Sequence, residues 1–180
     1  STIALAALVT TSACGGGNGA KSAQESPTPP ALTQEDDCMA TPDTTLGAAG
    51  AYVHVTGAAG EEPTITAVCD APPAMSLVSF DISEGTGKEV KSNGVVTAHY
   101  VGYGMTTRSV FDSSWPNAKP LQFSLARVIA GWAQGLPGMK EGGRRVLVIP
   151  GVYGYGDMPP TDAIKPNETL VFVVDLVSTP

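Results

Sequence analysis

The fold is decided by residues 96–100, which read VTAHY. Side chains of an extended chain point alternately to opposite faces, so Val96, Ala98 and Tyr100 share one face and His99 lies on the other. An apolar face opposed by a polar one is typical of a strand with one side against a core. The sequence therefore predicts a β-strand here, with Tyr100 on its core side.

Further strands are predicted on both sides of this one. Residues 169–177 read TLVFVVDLV, in which every second residue from Leu170 to Leu176 is apolar and falls on one face. Apolar runs at residues 77–83 and 144–149 have the length and bounding residues of short strands. The C-terminal part of the chain is therefore expected to be rich in β-structure.

A single short helix is predicted near residues 127–136, which read RVIAGWAQGL. Val128, Ile129 and Trp132 recur at helical spacing, and the glycines and proline of residues 135–138 would end the helix. Many strands and one helix indicate the α+β class: a curved antiparallel β-sheet wrapped around one short α-helix.

Composition divides the chain into four segments. Residues 14–37 have almost no large apolar side chain, so we expect a disordered tether. Residues 38–75 contain two short strand patterns and are expected to form a small β extension. Residues 76–180 hold the main strands and the helix and would form the principal domain. Residues 1–13 are interpreted as the remnant of a signal peptide.

The signal-peptide interpretation depends on an apolar run from Ile3 to Val9. About seven residues are too few to span a bilayer, which takes roughly 20, but they suit the apolar segment of an export signal. The initial methionine and basic residues of such a signal are missing, so we expect a few precursor residues before Ser1.

Residues 12–15, which read SACG, resemble a bacterial lipobox in which Cys14 is lipidated. Such boxes usually have leucine where this chain has Thr11. The alternative is an ordinary secretory signal cut near Ala13. In both cases we expect an exported protein, either secreted or held at the outer face of the cell membrane by a lipid anchor.

The cysteine count fits export. Three cysteines are an odd number for a secreted chain, but lipidation of Cys14 would leave Cys38 and Cys69 as a pair. A disulfide is expected between them in an oxidising compartment, and two free thiols are the alternative. The disulfide would close a loop of about 30 residues and stabilise the fold by roughly 3–4 kcal/mol.

The charge is concentrated in the N-terminal part. Residues 1–70 carry eight acids and one base, whereas residues 71–180 carry nine of each, so the net charge of −7 belongs to the first segment. A neutral domain without a basic stripe argues against nucleic acid as a partner.

The usual catalytic devices are missing from the sequence pattern. His54 and His99 are far apart and are interpreted as ordinary strand residues, and no cysteine–histidine cluster has zinc spacing. We expect no metal and no cofactor. Instead, nine of the eleven aromatic residues fall between Tyr100 and Phe172. This distribution favours an apolar, aromatic-walled pocket that acts by binding rather than by covalent attack.

The order of these motifs resembles the FKBP-type peptidyl-prolyl cis-trans isomerases over about residues 75–180. The matching motifs are His99-Tyr100-Val101-Gly102, Val110-Phe111-Asp112-Ser113-Ser114, Val128-Ile129-Ala130-Gly131-Trp132, Gly138-Met139-Lys140-Glu141-Gly142, Tyr155-Gly156 and Leu170-Val171-Phe172. Residues 55–57 and 62–66 also resemble the lead-in of some exported actinobacterial members.

The resemblance implies a set of site residues. Those implied as catalytic are Tyr100, Phe111, Asp112, Ile129, Trp132, Tyr155 and Phe172; those implied as substrate-binding are Val128, Leu121 and Ile164. Trp132 would form the floor, and the Ile129 N–H would bind a substrate carbonyl. The alternative for any one aromatic residue is simple core packing. The chain departs from the family pattern at Asn117, Leu121, Arg127, Pro160 and Ala163, and near Ala126 by a shorter loop.

The implied function is isomerisation of Xaa-Pro bonds in extracytoplasmic proteins, through desolvation and stabilisation of the twisted amide, in support of protein folding. Its partners would be proline-containing polypeptides and macrolide inhibitors, with the protein acting as a monomer. Two other functions fit the same residues: a prolyl-peptide-binding chaperone with little turnover, and a lipoprotein adhesin or structural protein.

Overall fold

Nine strands and one α-helix form from residues 38–180, the part of the chain that the computed structural model describes. The strands are β1 (Cys38–Met39), β2 (Val53–Thr56), β3 (Thr64–Val68), β4 (Val78–Ser83), β5 (Val95–Gly104), β6 (Ser109–Ser113), β7 (Leu121–Ser124), β8 (Arg144–Ile149) and β9 (Leu170–Ser178); the helix is α1 (Ala130–Gly135). Three 3₁₀ helices cover Thr44–Ala51, Trp115–Asn117 and Gly151–Tyr153.

The main sheet has six strands in the order β4-β8-β9-β5-β6, with β7 also paired to β5. Every neighbouring pair in it is antiparallel. The predicted fold class, an antiparallel sheet with one short helix, is confirmed. The predicted strands at residues 77–83, 144–149 and 169–177 form as β4, β8 and β9, within a residue of the expected bounds.

The main sheet has a buried core on each face. On the helix side, the alternating residues of β5 and β9 pack with Trp132 and Leu136 of the α1 region, as the apolar pattern predicts. On the opposite face, Val171 and Val173 of β9 pack against Leu46 and other apolar residues of the extension. Both faces of β9 are therefore buried, and the sheet is sandwiched between α1 and residues 38–75.

The extension is a three-stranded sheet in the order β1-β3-β2, in which β1 is parallel and β2 antiparallel to β3. Cys38 and Cys69 are joined by a disulfide that ties β1 to the end of β3. Residues 38–75 thus form a β extension that packs on the main sheet rather than standing apart from it.

A buried ion pair fastens the extension to the sheet. Arg144 of β8 is 1% exposed and donates to both carboxylate oxygens of Asp175 on β9, at 2.8 Å for its Nη2. Arg144 Nη1 also donates to the Gly57 carbonyl at 2.9 Å, and the Gly60 N–H donates to Asp175 Oδ2 at 2.7 Å. The Arg144–Asp175 pair therefore satisfies backbone groups of the loop between β2 and β3, which belong to the sheet of the extension.

The helix is shorter than the sequence predicts. The Arg127 N–H donates to the Ser124 carbonyl in a turn, and Ile129 has an extended ψ of 149° as the residue before the first helical turn, so α1 begins only at Ala130. Arg145 of β8 donates to the carbonyl of Gly135 at 2.8 Å, which satisfies an acceptor at the helix C-terminus.

Neither membrane spans nor metal clusters occur in the described part of the chain. Within residues 38–180, no helix is long and apolar enough to cross a membrane, and no three His, Cys, Asp or Glu side chains converge as a metal site would require. The predicted signal remnant, tether and lipidation residue Cys14 lie outside the described residues.

Candidate functional site

An aromatic cavity of about 300 Å³ opens between α1 and the side of the main sheet that faces the helix. Seven of the ten predicted site residues lie on its wall. The complete lining is Tyr100, Asp112, Phe123, Arg127, Val128, Ile129, Trp132, Tyr155 and Phe172. The fold thus assembles residues from β5, β6, β7, β9, α1, the segment before the helix and the loop after Gly151–Tyr153 into one site.

Trp132 forms the floor of this cavity. The residue is 4% exposed, and three rings meet it edge to face: Tyr100, Phe123 and Phe172, with ring centroids 5.5, 5.2 and 5.4 Å away. Edge-to-face contacts place the positive edge of one ring against the negative face of another. Its indole Nε1 has no hydrogen-bond partner within residues 38–180. The floor is therefore an aromatic surface fixed by its neighbours.

Glycine allows the helix that carries Trp132 to lie close to the sheet. A Cβ at Gly131 would lie 2.5 Å from a side-chain carbon of Ile149, and a Cβ at Gly135 would lie 2.7 Å from one of Leu147. Both neighbours are fully buried on β8. Close packing of α1 on β8 thus requires glycine at these two positions and sets the depth of the floor.

The walls are built from β5, β6 and β9. Phe172 lies across from Gly102 in the β5–β9 register, and a Cβ at Gly102 would come within 2.9 Å of both the Phe111 and Phe172 rings. The absence of a side chain at residue 102 leaves room for these two rings, whose centroids are 5.5 Å apart. Phe111 is not among the residues that line the cavity, but its ring packs edge to face on Phe172.

Tyr100, Asp112 and Tyr155 supply the two hydroxyls and the carboxylate of the cavity lining. The Tyr100 hydroxyl donates to Asp112 Oδ2 at 2.6 Å. Burial of the ring, followed by this hydrogen bond to a carboxylate, raises the pKa of Tyr100 above its ordinary range. Burial and the charge of Asp112 also raise the pKa of Tyr155. Both hydroxyls therefore stay protonated at physiological pH and can donate hydrogen bonds.

A discontinuity in the sheet borders the cavity at Tyr100. On one side of β5, β7 pairs with residues 95–98 and β6 pairs with residues 101–104, so neither strand reaches residue 100. Ser114 fills this gap: its hydroxyl accepts from the Tyr100 N–H at 2.9 Å, and its own N–H donates to the Tyr100 carbonyl at 3.1 Å. The backbone of Tyr100 is thereby satisfied without a neighbouring strand.

Three predicted site residues lie away from the cavity wall. Phe111 contacts the ring of Phe172 but is outside the lining. Ile164 is 5% exposed and packs in the core on the helix side of the sheet. Leu121 is 42% exposed on β7 and pairs with Ala98, at the outer end of that strand. The structure therefore places Leu121 on the strand that carries Phe123 but not in the lining.

Phe123 lines the cavity although the sequence reasoning did not identify it. It lies two residues after Leu121 on β7, so period-two alternation places both on the same face, and its register partner Val96 belongs to the core. That alternation was the available signal. The two histidines lie in strands as expected: His54 in β2, and His99 in β5, where its ring stacks on Trp115.

Comparison with known proteins agrees with this geometry. Residues 87–177 match the sequence profile of the family described as FKBP-type peptidyl-prolyl cis-trans isomerase. The chain is 46% identical over 121 residues to the FK506-binding protein of Streptomyces anulatus, covering 66% of this chain and 97% of that protein. It is 42% identical over 104 residues to an FK506-binding protein of Neisseria meningitidis, covering 57% of this chain and 94% of that one.

Solved structures show the same architecture. A crystal structure of a peptidyl-prolyl cis-trans isomerase from Pseudomonas syringae superimposes with a TM-score of 0.53 at 34% sequence identity. The match covers 59% of this chain and 77% of that one.

Proposed function

The chain belongs to the FKBP-type peptidyl-prolyl cis-trans isomerase family, and on that premise we propose that the aromatic cavity is the active site, where an Xaa-Pro bond of an exported protein turns between cis and trans. The observation that carries the assignment is the cavity itself, with Trp132 as its floor and Tyr100 and Phe172 as its walls. Its volume of about 300 Å³ is at the lower end of the range for small-ligand pockets.

The chemistry follows from the resonance of the amide. A planar peptide bond resists rotation by about 18–20 kcal/mol, and an Xaa-Pro bond interconverts over tens to hundreds of seconds. In the twisted transition state this resonance is lost and the charge separation between oxygen and nitrogen falls. An apolar cavity that removes water from the carbonyl therefore favours the twisted amide over the planar one. The reaction requires no nucleophile and no general base.

Two groups of the cavity would orient the substrate. The Ile129 N–H has no acceptor among residues 38–180, so it is available to a substrate carbonyl. The Tyr155 hydroxyl, whose raised pKa keeps it protonated, is a second donor at the cavity wall. The proline ring would lie over Trp132, where edge-to-face contacts already hold the indole in place.

Exchange of a capped Ala-Leu-Pro-Phe tetrapeptide between its cis and trans forms, measured by NMR, tests this function directly. Catalytic amounts of protein are expected to accelerate exchange, and Asp112→Val to slow it by removing the acceptor of the Tyr100 hydroxyl. Asp162→Val is the matched control, since Asp162 is also exposed but lies outside the lining. Exchange at the buffer rate with the wild-type protein would refute the assignment.

The proposed site of action is outside the cytoplasmic membrane, with the protein anchored by lipid on Cys14 or secreted. The lipobox-like SACG at residues 12–15 and the disulfide between Cys38 and Cys69 support this proposal. Metabolic labelling with a fatty acid, followed by cell fractionation, is expected to give a labelled membrane-associated protein that Cys14→Ser releases. Unlabelled protein in the cytoplasm would contradict it.

The proposed partners are proline-containing polypeptides and macrolides such as FK506, with the protein acting as a monomer. Support comes from the family and from the Streptomyces relative, which is named for FK506 binding. Titration of FK506 into the exchange assay is expected to abolish catalysis at stoichiometric ratio. Light scattering after size exclusion is expected to give a single-chain mass, and a dimer mass would contradict the monomer.

A further inference from the structure

Arg127 is the only cationic residue that lines the aromatic cavity. Its backbone is held in place, because its N–H donates to the Ser124 carbonyl at 2.9 Å. Its side chain is exposed, and the guanidinium forms no ion pair or hydrogen bond with any of residues 38–180. The wall of the cavity thus presents a positive charge that no described residue neutralises.

Three other charged side chains, Asp112, Arg144 and Arg145, already have hydrogen-bond or ion-pair partners. Asp112, the only acidic residue of the lining, accepts the Tyr100 hydroxyl at 2.6 Å and is not paired with Arg127. Arg144 and Arg145, by contrast, each form an ion pair with an aspartate on a neighbouring strand. Arg127 therefore differs from both of these arginines: its five N–H donors face solvent at the mouth of a peptide-binding cavity.

The position of Arg127 in the chain relates it to the substrate. It lies two residues before Ile129, and residues 127–129 together line one side of the cavity. A peptide whose proline ring lies over Trp132 must leave the cavity along its lining on both sides of the proline. The side chain of a residue next to proline is then within reach of a long, uncommitted arginine.

We propose that Arg127 is a specificity-determining residue that selects substrates with a carboxylate on the residue immediately before or after the proline. This inference rests on the proposed function and names the substrate class of the same site. A carboxylate is the complementary partner because guanidinium donors match its two oxygens in a bidentate arrangement. Because the guanidinium is exposed, the expected preference is modest, roughly 1.5- to 5-fold in kcat/KM.

The experiment compares glutamate with glutamine, which have nearly the same shape and differ in charge. Acetyl-Ala-Xaa-Pro-Phe-amide and acetyl-Ala-Leu-Pro-Xaa-amide are each made with Xaa as Glu and as Gln, and cis-trans exchange is measured by NMR at pH 7 and low ionic strength. The readout is the Glu/Gln ratio of kcat/KM within one protein, so a general change in turnover cancels. The wild-type ratio is expected to exceed 1 in at least one series.

Variants locate the effect. Arg127→Gln is expected to bring the ratio to 1, Arg127→Glu to bring it below 1, and Arg127→Lys to retain part of it. Arg108→Gln is the matched control, because Arg108 is also an exposed arginine and does not line the cavity. It removes the same charge from the protein and is expected to leave the ratio as in the wild type.

Salt provides a readout that requires no variant. Raising the ionic strength from about 0.01 M to 1 M shortens the screening length from roughly 30 to 3 Å and is expected to bring the wild-type ratio close to 1. A wild-type ratio of 1 in both series at low salt overturns the inference, as does a preference for glutamate that Arg127→Gln leaves unchanged. If no peptide is isomerised, including one with leucine and phenylalanine around the proline, the proposed function itself fails. Catalysis with no charge preference refutes only the role of Arg127.

Discussion

Asp175→Asn is expected to destabilise the protein far more than its conservative shape suggests. Arg144 is 1% exposed, and Asp175 accepts from its guanidinium through both oxygens while also accepting from the Gly60 N–H. The asparagine keeps the side-chain shape but leaves the buried positive charge of Arg144 without a negative partner. Breaking a buried ion pair in this way costs about 3–5 kcal/mol. Since a domain unfolds with about 5–15 kcal/mol, this is a large fraction of the total.

The neighbouring pair supplies a matched control. Arg145 and Asp81 also link two strands, but the side chain of Asp81 is 35% exposed, whereas that of Asp175 is 10% exposed. The charge left by Asp81→Asn is that of Arg145, whose side chain is 10% exposed against 1% for Arg144, and the partly exposed residue 81 lets water approach it, so a smaller loss of about 1 kcal/mol is expected there. The comparison separates burial of the charge from mere loss of an arginine–aspartate contact.

Urea denaturation at pH 7, followed by both far-ultraviolet circular dichroism and tryptophan fluorescence, measures the free energy of unfolding of the wild-type protein, Asp175→Asn and Asp81→Asn. Thermal unfolding followed by circular dichroism gives their melting temperatures. The melting temperature of Asp175→Asn is expected to fall by an amount on the order of 10 °C. Asp175 lies on the face of β9 opposite Phe172 and Val174, so turnover per folded molecule is expected to stay unchanged. A loss below about 1 kcal/mol, or one equal to that of Asp81→Asn, would refute the reasoning.

Three further predictions concern the cavity, the extension and the response to pH. Phe172→Ala removes one wall and is expected to lower kcat/KM at least tenfold, which is about 1.4 kcal/mol of transition-state stabilisation. Phe172→Leu keeps much of the side-chain volume and is expected to lower the free energy of unfolding less than Phe172→Ala does. Full activity of the alanine variant would contradict the assignment of Phe172 as a wall. Reduction of the Cys38–Cys69 disulfide, which joins residues 31 positions apart, is expected to lower the free energy of unfolding by about 3–4 kcal/mol, and urea curves that coincide with and without dithiothreitol would count against it. Two backbone N–H groups bind the Glu141 carboxylate and lower its pKa below the ordinary 4.5, so the stability this adds is present above pH 4.5 and is lost as pH falls through the lower, folded-state value. Glu141→Gln is therefore expected to weaken the pH dependence of the urea midpoint in that acid range, and an unchanged dependence would show that Glu141 is not the titrating group.

The sequence was sufficient to predict one side of the sheet. Alternation in residues 96–100 and 169–177 placed Tyr100 and Phe172 on the same core, and the structure has both on the cavity wall. Alternation works there because successive side chains of a strand point to opposite faces of the sheet, and this does not depend on which strand lies beside it. It could not show that Val171 and Val173 are buried as well, since the covering residues come from the extension, far away in sequence.

Contacts between residues far apart in the chain could not be predicted from local sequence patterns. Nothing in the sequence around Arg144 specifies that its guanidinium reaches Asp175 and a loop near residue 60, because strand order and register are set by the whole fold. The helix was located correctly but begins late, because a turn at Arg127 and the extended backbone of Ile129 take up its predicted first residues. Helix ends depend on such local hydrogen bonds rather than on apolar spacing.

The gap that Ser114 fills has a consequence for how this protein can diversify. Residues 114–120 connect β6 to β7 across the gap between the two ladders that these strands form with β5, and hydrogen bonds from Ser114 to Tyr100 link them to the backbone of β5. Insertions or deletions after Ser114 would leave every strand register unchanged, whereas the same change inside β5 or β9 would move the cavity walls. The connection between β6 and β7 can therefore change in length or sequence during evolution while the strands that carry Tyr100, Asp112 and Phe172 keep their pairing.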